Sequence, residues 1–396
     1  MESAELRELL TPEGVALLDS MPPYTSSTDV LKIVAALRKD GNSASLVATV
    51  LTQAKLRGKA VAKFGDFAQR MLFTEAGLEQ ATRLPVAALH AGRYVRAGLT
   101  SVADLGCGIG ADALAFAGAG LQVHAVDADE VTAAITTYNL SPFPEARVSH
   151  GTAEETDLSD VESVYLDPAR RTSGHTNTNR LANAEDYSPS LDFAFGLAEK
   201  LPTGIKLGPG FDRDLIPDTS EAQWISVNGD VVEVGLWFGP LKRDGITRAA
   251  LVMNADGLHE LTAAADSADA EVGELGQYLY EPDGAVIRAR LIGDLARSIG
   301  AHMLDEHIAY MSSDVAVSTP FASTFEVVHE YALDVKVLAK ELKSRGIGTL
   351  EIKKRGVDID PAEFRKRLSL SGKNSATLFL TRIGERRVAI LAQRVT

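Results

Sequence analysis

Three carboxylates and three glycines carry the chemistry legible in this chain. Asp104, Gly106, Gly108 and Gly110 fall in the run Asp-Leu-Gly-Cys-Gly-Ile-Gly, with Cys107 between the first two glycines. Asp127 ends the next apolar run, and Asp167-Pro168 follows a later one. Lacking a Cβ, a glycine adopts positive φ and lets a ligand approach the backbone closely. Where such a turn joins a strand to a helix, the helix N-terminus adds unpaired amide N–H groups. The result is a nucleoside cradle. Nicotinamide-binding folds also use a glycine triad, so the residues around it decide the reading. A carboxylate at the end of the second strand can accept hydrogen bonds from both ribose hydroxyls, the part Asp127 would take. Asp167, followed by a rigid proline, would stand at the carboxyl end of a further strand, where open α/β sheets bind their ligands.

Placing these groups requires strands at 100–105, 121–126 and 164–166 and a helix at 111–119. The run 100–105 is short, apolar and bounded by Gly98, which suits a buried parallel strand, while 111–119 repeats Ala and Leu at helical spacing. The alternation continues with a helix at 191–201 and strands at 204–207, 222–227 and 231–238. Asn228-Gly229 between the last two is a hairpin signal. Lys206 ends one of these strands, and Asp212 lies in the Gly-Pro-Gly loop after it. Each is a substrate-side candidate or half of an ion pair that fixes the loop. Upstream, 29–37, 45–56 and 85–95 read as helices, with Ser26, Ser27 and Thr28 suited to capping the first. Downstream come a strand at 248–253, an Ala- and Asp-rich connection at 263–271 and a helix at 286–299. A strand at 324–328, a helix at 335–345, a strand at 349–354, a helix at 361–368 and a hairpin at 376–393 complete the chain. The polar stretch 171–189 reads as a loop or a mobile lid.

In this order and spacing, Asp104 to Gly110, Asp127 and Asp167-Pro168 resemble the class I S-adenosylmethionine-dependent methyltransferases. The run Tyr165-Leu-Asp-Pro-Ala-Arg-Arg171, with Leu350-Glu-Ile-Lys-Lys-Arg-Gly356 and Ala376-Thr-Leu-Phe-Leu380, is similar to bacterial members that end in a THUMP-like domain. The resemblance implies an α/β fold: a Rossmann-like methyltransferase domain with a seven-stranded sheet, an α-helical N-terminal domain and a C-terminal α+β THUMP-like domain. The boundaries expected are 1–97 for the helical domain, 98–240 for the methyltransferase domain, 241–323 for connecting strands and linker, and 324–396 for the THUMP-like domain. S-adenosylmethionine is the cofactor implied. Asp104, Gly106, Cys107, Gly108 and Gly110 would hold its methionine part, Asp127 its ribose, and Ala128 with Gly151 to Ala153 its adenine. The segment 78–83 resembles a polar motif that precedes the core in this family and places Gln80 over the cofactor. Its alternative is a helix-capping segment.

Methyl transfer from a sulfonium is an in-line displacement, catalysed mainly by alignment and by removal of a proton where needed. No metal is required. Asp167 and Pro168 are the catalytic candidates, with Asp167 holding a nucleophilic amine or accepting its proton. Enzymes that methylate exocyclic amino groups carry a second proline and an aromatic after this position. Here Ala169 and Arg170 replace them. Arg170 and Arg171 would then bind nucleic-acid phosphate or stack on a base, or else pair with the acidic domain. Carbon-5 methylation of a pyrimidine needs a nucleophilic cysteine, and the sole cysteine, Cys107, lies in the cofactor turn.

Composition sets the outer limits. Hydrophobic residues at 45% and charged residues at 24% are an ordinary balance for a soluble protein of two to three domains. A single cysteine excludes an intrachain disulfide and a cysteine zinc cluster. The acidic start lacks the order of a signal peptide, and no apolar run reaches membrane-spanning length, so a cytoplasmic protein without a membrane partner is expected. The net charge of −14 hides an asymmetry. Residues 325–396 hold 15 Lys or Arg against 9 Asp or Glu, a net +6, so the rest carries −20. That pattern suits a basic binding module on an acidic body, or a solvated helix surface. Lys353, Lys354 and Arg355 at a strand end are the leading phosphate contacts. The expected function is methylation of RNA, tRNA or rRNA, delivered by the tail. The alternatives are methylation of a small molecule or protein, or cofactor binding without catalysis.

Overall fold

A computed structural model describes residues 1–22, 27–170 and 187–395. They form two compact units, Met1–Leu207 with Trp237–Lys242, and Gly208–Leu236 with Arg243–Thr396.

The first unit opens with helices α1 (Ser3–Leu9), α2 (Pro12–Asp19), α3 (Ser27–Lys39), α4 (Ala44–Phe64), α5 (Glu75–Gln80) and α6 (Leu84–Arg96). Side-chain oxygens start several of them: Thr11 accepts from the Gly14 N–H, Ser43 from Leu46 and Thr74 from Gly77. The sheet follows, with β1 (Ser101–Leu105), α7 (Ala111–Gly118), β2 (Gln122–Asp127), α8 (Glu130–Leu140), β3 (Ala146–His150) and β4 (Val164–Leu166). The pair β5 (Ala169–Arg170) and β6 (Tyr187–Ser188), helix α9 (Leu191–Ala198) and β7 (Thr203–Leu207) complete it. The main strands are parallel in the order β7-β4-β1-β2-β3. β1, β4 and β7 are buried along their whole length, as expected of strands covered on both faces.

Helices of the segment 1–97 share one hydrophobic core with this sheet. Leu9, Val50, Phe64 and Phe73 cluster with Val102, Phe116 and Tyr165. Tyr94 of α6 is a stitch in that core. Its hydroxyl donates to the Val164 carbonyl at 2.6 Å and accepts from the Gly204 N–H at 3.0 Å, tying the helix to β4 and β7. Gly204 is required there, because a Cβ would stand 2.7 Å from both the Tyr94 oxygen and the Trp237 ring.

In the second unit, β8 (Glu221–Val227) and β9 (Asp230–Trp237) flank Asn228 and Gly229, whose φ values of 53° and 89° suit a two-residue hairpin turn. β10 (Arg248–Asn254) runs parallel to β8, and β11 (Gly257–Ala263) antiparallel to β10. Arg243 clamps this end through Glu221 and Glu260, each at 2.5 Å.

Next come β12 (Tyr278–Pro282), α10 (Gly284–Arg288), α11 (Ile292–Ser298), β13 (His302–Asp305) and β14 (Ile308–Ser313). The single helix expected at 286–299 is broken in two, with Arg290 at φ 58° between the parts. β15 (Ala322–Ala332), α12 (Val335–Ser344), β16 (Ile347–Lys354), α13 (Pro361–Arg367), β17 (Asn374–Ile383) and β18 (Arg386–Arg394) finish the chain. Seven strands pair in the order β13-β14-β12-β15-β18-β17-β16, antiparallel except β16 with β17. α12 and α13 pack together against β16 through Leu338, Leu342, Phe364 and Leu368.

Candidate functional site

The glycine turn lies between β1 and α7 and is tied to β2. The N–H groups of Gly106 and Cys107 both donate to the Val126 carbonyl, at 2.9 and 3.0 Å. Gly106, Gly108 and Gly110 have φ values of 86°, 55° and 84°, all in the left-handed region. At Gly110 the tertiary packing adds a second constraint. A Cβ there would stand 2.9 Å from Cγ2 of Thr136, whose hydroxyl donates to the Gly108 carbonyl. Asp127 closes the turn from the other side, its Oδ2 accepting from the Gly108 N–H at 3.0 Å and its Oδ1 from the Asp129 N–H at 2.9 Å. Burial holds the Asp127 carboxyl above its usual range despite those two bonds.

A cleft of about 280 Å³ opens on this turn. Of the residues anticipated from sequence, Gln80, Gly106, Cys107, Gly108, Asp127, Ala128, Ala153 and Asp167 line it. Asp104, Gly110, Pro168 and Lys206 are not among its walls. Cys107 is buried, and burial, with Asp104 and Asp127 nearby, pushes its thiol well above the usual range.

Thr82 and Asp112 also line the cleft, and with His90 they join Asp167 and Lys206 in a polar network that sequence reasoning did not find. Asp112, on the first turn of α7, accepts from the Thr82 hydroxyl at 2.6 Å and meets Nδ1 of His90 at 2.8 Å. The Tyr165 hydroxyl lies 3.1 Å from the same His90 nitrogen. Nζ of Lys206 donates to Thr82 at 3.0 Å and pairs with Asp167 at 2.5 Å. Burial raises the Asp112 carboxyl, but the His90, Lys206 and Thr82 contacts outweigh it and its pKa is lowered. Thr82, His90, Asp112 and Lys206 are each less than 9% exposed. One signal was available: His90 and Asp112 are isolated polar residues in otherwise apolar helical stretches.

The segment 78–83 joins α5 to α6. Arg83 occupies the cap position of α6 without a side-chain capping bond. Gln80 reaches the cleft wall, and Thr82 joins Asp112 to Lys206. Lys63 of α4 holds the segment by donating to the carbonyls of Leu78, Glu79 and Ala81 at 2.9, 2.6 and 2.7 Å. Burial, reinforced by the Arg83 and Lys206 charges, lowers its pKa to about 8.

Asp104 is the least satisfied member of the site. It is 1% exposed, and its Oδ2 has no hydrogen-bond partner among the described residues. Burial, then the Asp112 and Asp167 charges, pushes its carboxyl well above the usual range, with Lys206 opposing. An unfolded aspartate titrates near 3.9, so between that pH and the higher folded value the unfolded chain releases a proton that the folded chain keeps. Folding stability from this residue is therefore full below about pH 4 and falls as the pH rises. Asp104→Asn mimics the protonated form. It is expected to raise the cofactor-free melting midpoint by a few degrees at pH 7.5, with the gain shrinking toward pH 4 in thermal melts. A pH-independent offset would show that Asp104 is not held against its charge.

The phosphate contacts expected in the tail are largely engaged elsewhere. Lys353 pairs with Glu281 at 2.6 Å and Glu351 at 3.2 Å, and Arg355 lies 3.7 Å from Glu281 with its guanidinium over the Tyr310 ring. Lys354 alone of the three is exposed. Asp212 accepts from the Asp214 N–H as the cap of a short 3₁₀ turn. The Arg170 backbone pairs with Tyr187 between β5 and β6. Arg171, with most of the polar stretch after it, lies outside the described residues.

A five-stranded parallel order with a glycine turn and an acidic residue at the next strand end defines a Rossmann-like nucleoside-binding fold. The chain is 32% identical over 338 residues, 83% of its length and 91% of the other's, to an uncharacterized S-adenosylmethionine-dependent methyltransferase of Mycobacterium tuberculosis. It belongs to the S-adenosylmethionine-dependent methyltransferases, and S-adenosylmethionine is its cofactor. Residues 322–394 match the THUMP domain-like family, and residues 2–60 a domain of unknown function, DUF8688. The fold is shared with a candidate methyltransferase from Porphyromonas gingivalis W83, whose crystal structure superposes with a TM-score of 0.72 at 18% identity, covering 94% of this chain and all of that one. Among the described residues, no helix is long and apolar enough to cross a membrane.

The residues present fit that cofactor. An unpartnered buried carboxylate oxygen lies at Asp104. At Gly108 an added Cβ would meet no protein atom within 4 Å, and at Gly106 only the Asp167 carbonyl at 3.7 Å.

Proposed function

We propose that this enzyme methylates RNA, tRNA or rRNA, engaged through the THUMP-like region. The observation that carries the reading is the charge on α12 and α13. Lys336, Lys340, Lys343, Arg345, Arg365 and Arg367 are exposed, and no ion pair is found for them among the described residues. Asp334 and Asp360 are used at the helix starts, capping α12 and α13. Solvated cations on adjacent helices suit phosphate contacts, which release counterions and supply salt-dependent affinity without base specificity. These residues replace Lys353 and Arg355 as the leading contacts, with Lys354 retained. A cytoplasmic location follows from the reading.

When bound, S-adenosylmethionine supplies an electrophilic methyl group. Gly106, Cys107, Gly108 and Gly110 hold its methionine end, with the buried Asp104 behind them. Asp127 takes the ribose, and Ala128 and Ala153, with Gln80 opposite, hold the adenine end. Asp167 lies on the cleft wall with its side chain 37% exposed, where it orients a nucleophilic amine and accepts its proton. Lys206 and Thr82 hold that carboxylate in place, and Pro168 stiffens the backbone beside it.

The test is transfer of labelled methyl from S-adenosylmethionine to RNA purified from a strain lacking the enzyme. Label is expected in RNA. Replacing Lys340, Lys343, Arg345, Arg365 and Arg367 with Gln should weaken RNA binding and flatten its dependence on log salt by about 0.7 to 0.9 for each phosphate no longer neutralised. Label only in protein or small molecules would assign the substrate elsewhere.

A further inference from the structure

The first unit holds a second cleft, of about 590 Å³, walled by α2, α4, the 3₁₀ turn Gly65–Arg70 and the end of α8. Arg57 of α4 lines it. Its Nε donates to the Met71 carbonyl and its Nη1 to Oδ1 of Asp19, both at 3.0 Å. Its Nη2 is buried and has no partner among the described residues. The arginine side chain is 5% exposed, whereas its one carboxylate partner, Asp19, is 56% exposed. A guanidinium is the hardest side chain to neutralise, so burial leaves it charged and short of an acceptor. Arg70 stands exposed on the same cleft without an ion pair among the described residues. Asp19, already bonded to Arg57, is the sole carboxylate among the described lining residues.

We propose that this cleft binds the phosphate group of a nucleotide. The Arg57 guanidinium, whose residue lines the cleft, supplies one positive charge beside the bound oxyanion, Arg70 supplies a second, and Ser141 lies within the same walls. The cleft is much larger than a phosphate alone needs, and its wall also includes Tyr138, Gln69 and apolar Met21, Pro22 and Val61. That surface suits a base stacked on the tyrosine ring. The phosphate has two sources, a free mononucleotide or a nucleotide of an RNA chain. This site shares no lining residue with the glycine-turn cleft. The inference does not depend on the C-terminal tail.

Calorimetry on the full chain tests it, in phosphate-free buffer with S-adenosylhomocysteine at saturation so that the cofactor cleft is filled. Uridine 5′-monophosphate and a 5′-phosphorylated uridine hexamer are the probes. Binding of both marks a mononucleotide site that also accepts a chain end, and binding of the hexamer alone marks an RNA contact. In either case Arg70→Ala is expected to weaken binding at least about tenfold, and Arg57→Met to abolish it. Arg57 is buried and its loss threatens the fold, so exposed Arg70 decides the matter. Absence of binding by both probes, or affinity unchanged in Arg70→Ala, would overturn the proposal.

Discussion

Asp167→Ala is expected to cut methyl transfer by about 10²- to 10⁴-fold, the usual contribution of a positioned acid or base, while S-adenosylmethionine affinity stays within about threefold. The expectation rests on where the carboxylate stands. Asp167 lines the cofactor cleft and pairs with Lys206. Lys206 is in turn fixed by Thr82, and Thr82 by Asp112, so the reacting oxygen is held from three residues away. Removing the side chain leaves a largely buried ammonium without its carboxylate, which is destabilising. Asp167→Asn separates the effects, because it keeps the shape and a carbonyl acceptor for Lys206 while losing the proton acceptor. Single-turnover kinetics with calorimetry on both variants is the measurement. Full activity in Asp167→Asn would reduce this residue to a structural partner of Lys206.

Asp127→Ala is expected to weaken S-adenosylmethionine binding by about 10²-fold, read by calorimetry. Two hydrogen bonds from ribose hydroxyls to an ionised acceptor are worth about 3 kcal/mol together, and 1.4 kcal/mol is a factor of ten. A second loss adds to it. The carboxylate also receives the Gly108 and Asp129 N–H groups, so alanine leaves both donors without that acceptor and loosens the turn that holds the methionine end. Asp127→Asn keeps an acceptor for one of these groups and is expected to fall between alanine and the native residue. Unchanged affinity in Asp127→Ala would remove the ribose assignment.

The parts of this site that were legible in sequence are local. Gly106, Gly108 and Gly110 announce themselves because few residues besides glycine tolerate their backbone angles. Asp127 and Asp167 could be placed because each follows a short apolar run whose end must reach the same sheet edge. The hairpin at Asn228-Gly229 was legible for the same reason. What failed was partly short-range and partly positional. A single left-handed residue, Arg290, splits a helix whose apolar pattern runs on, and non-glycine positive φ has little sequence signature. β12, β13 and β14 were missed because their burial comes from neighbours distant in the chain.

The tail shows the same division at the level of function. Charge counting correctly located the basic excess but could not say which cations face solvent. Lys353 lies near the end of β16 and Arg355 just beyond it, where Glu281 of β12 reaches them. Lys336, Lys340, Lys343, Arg345, Arg365 and Arg367 have no such neighbour among the described residues and remain solvated. Likewise, the Ala- and Leu-rich patterns of residues 1–97 announce helices but not their partner, and those helices close over the same core as the sheet.

By itself the amino-acid sequence determined the turn, the strand-end carboxylates and so the class of cofactor, because backbone angles and strand ends are properties of a few adjacent residues. Only the tertiary structure decided what surrounds them. Thr82, His90, Asp112 and Lys206 come from four separate segments, and their meeting behind Asp167 depends on how α6, α7 and β7 pack. A hydrogen bond is made at about 3 Å between side chains, and no periodicity in the chain encodes a distance between residues 82 and 206.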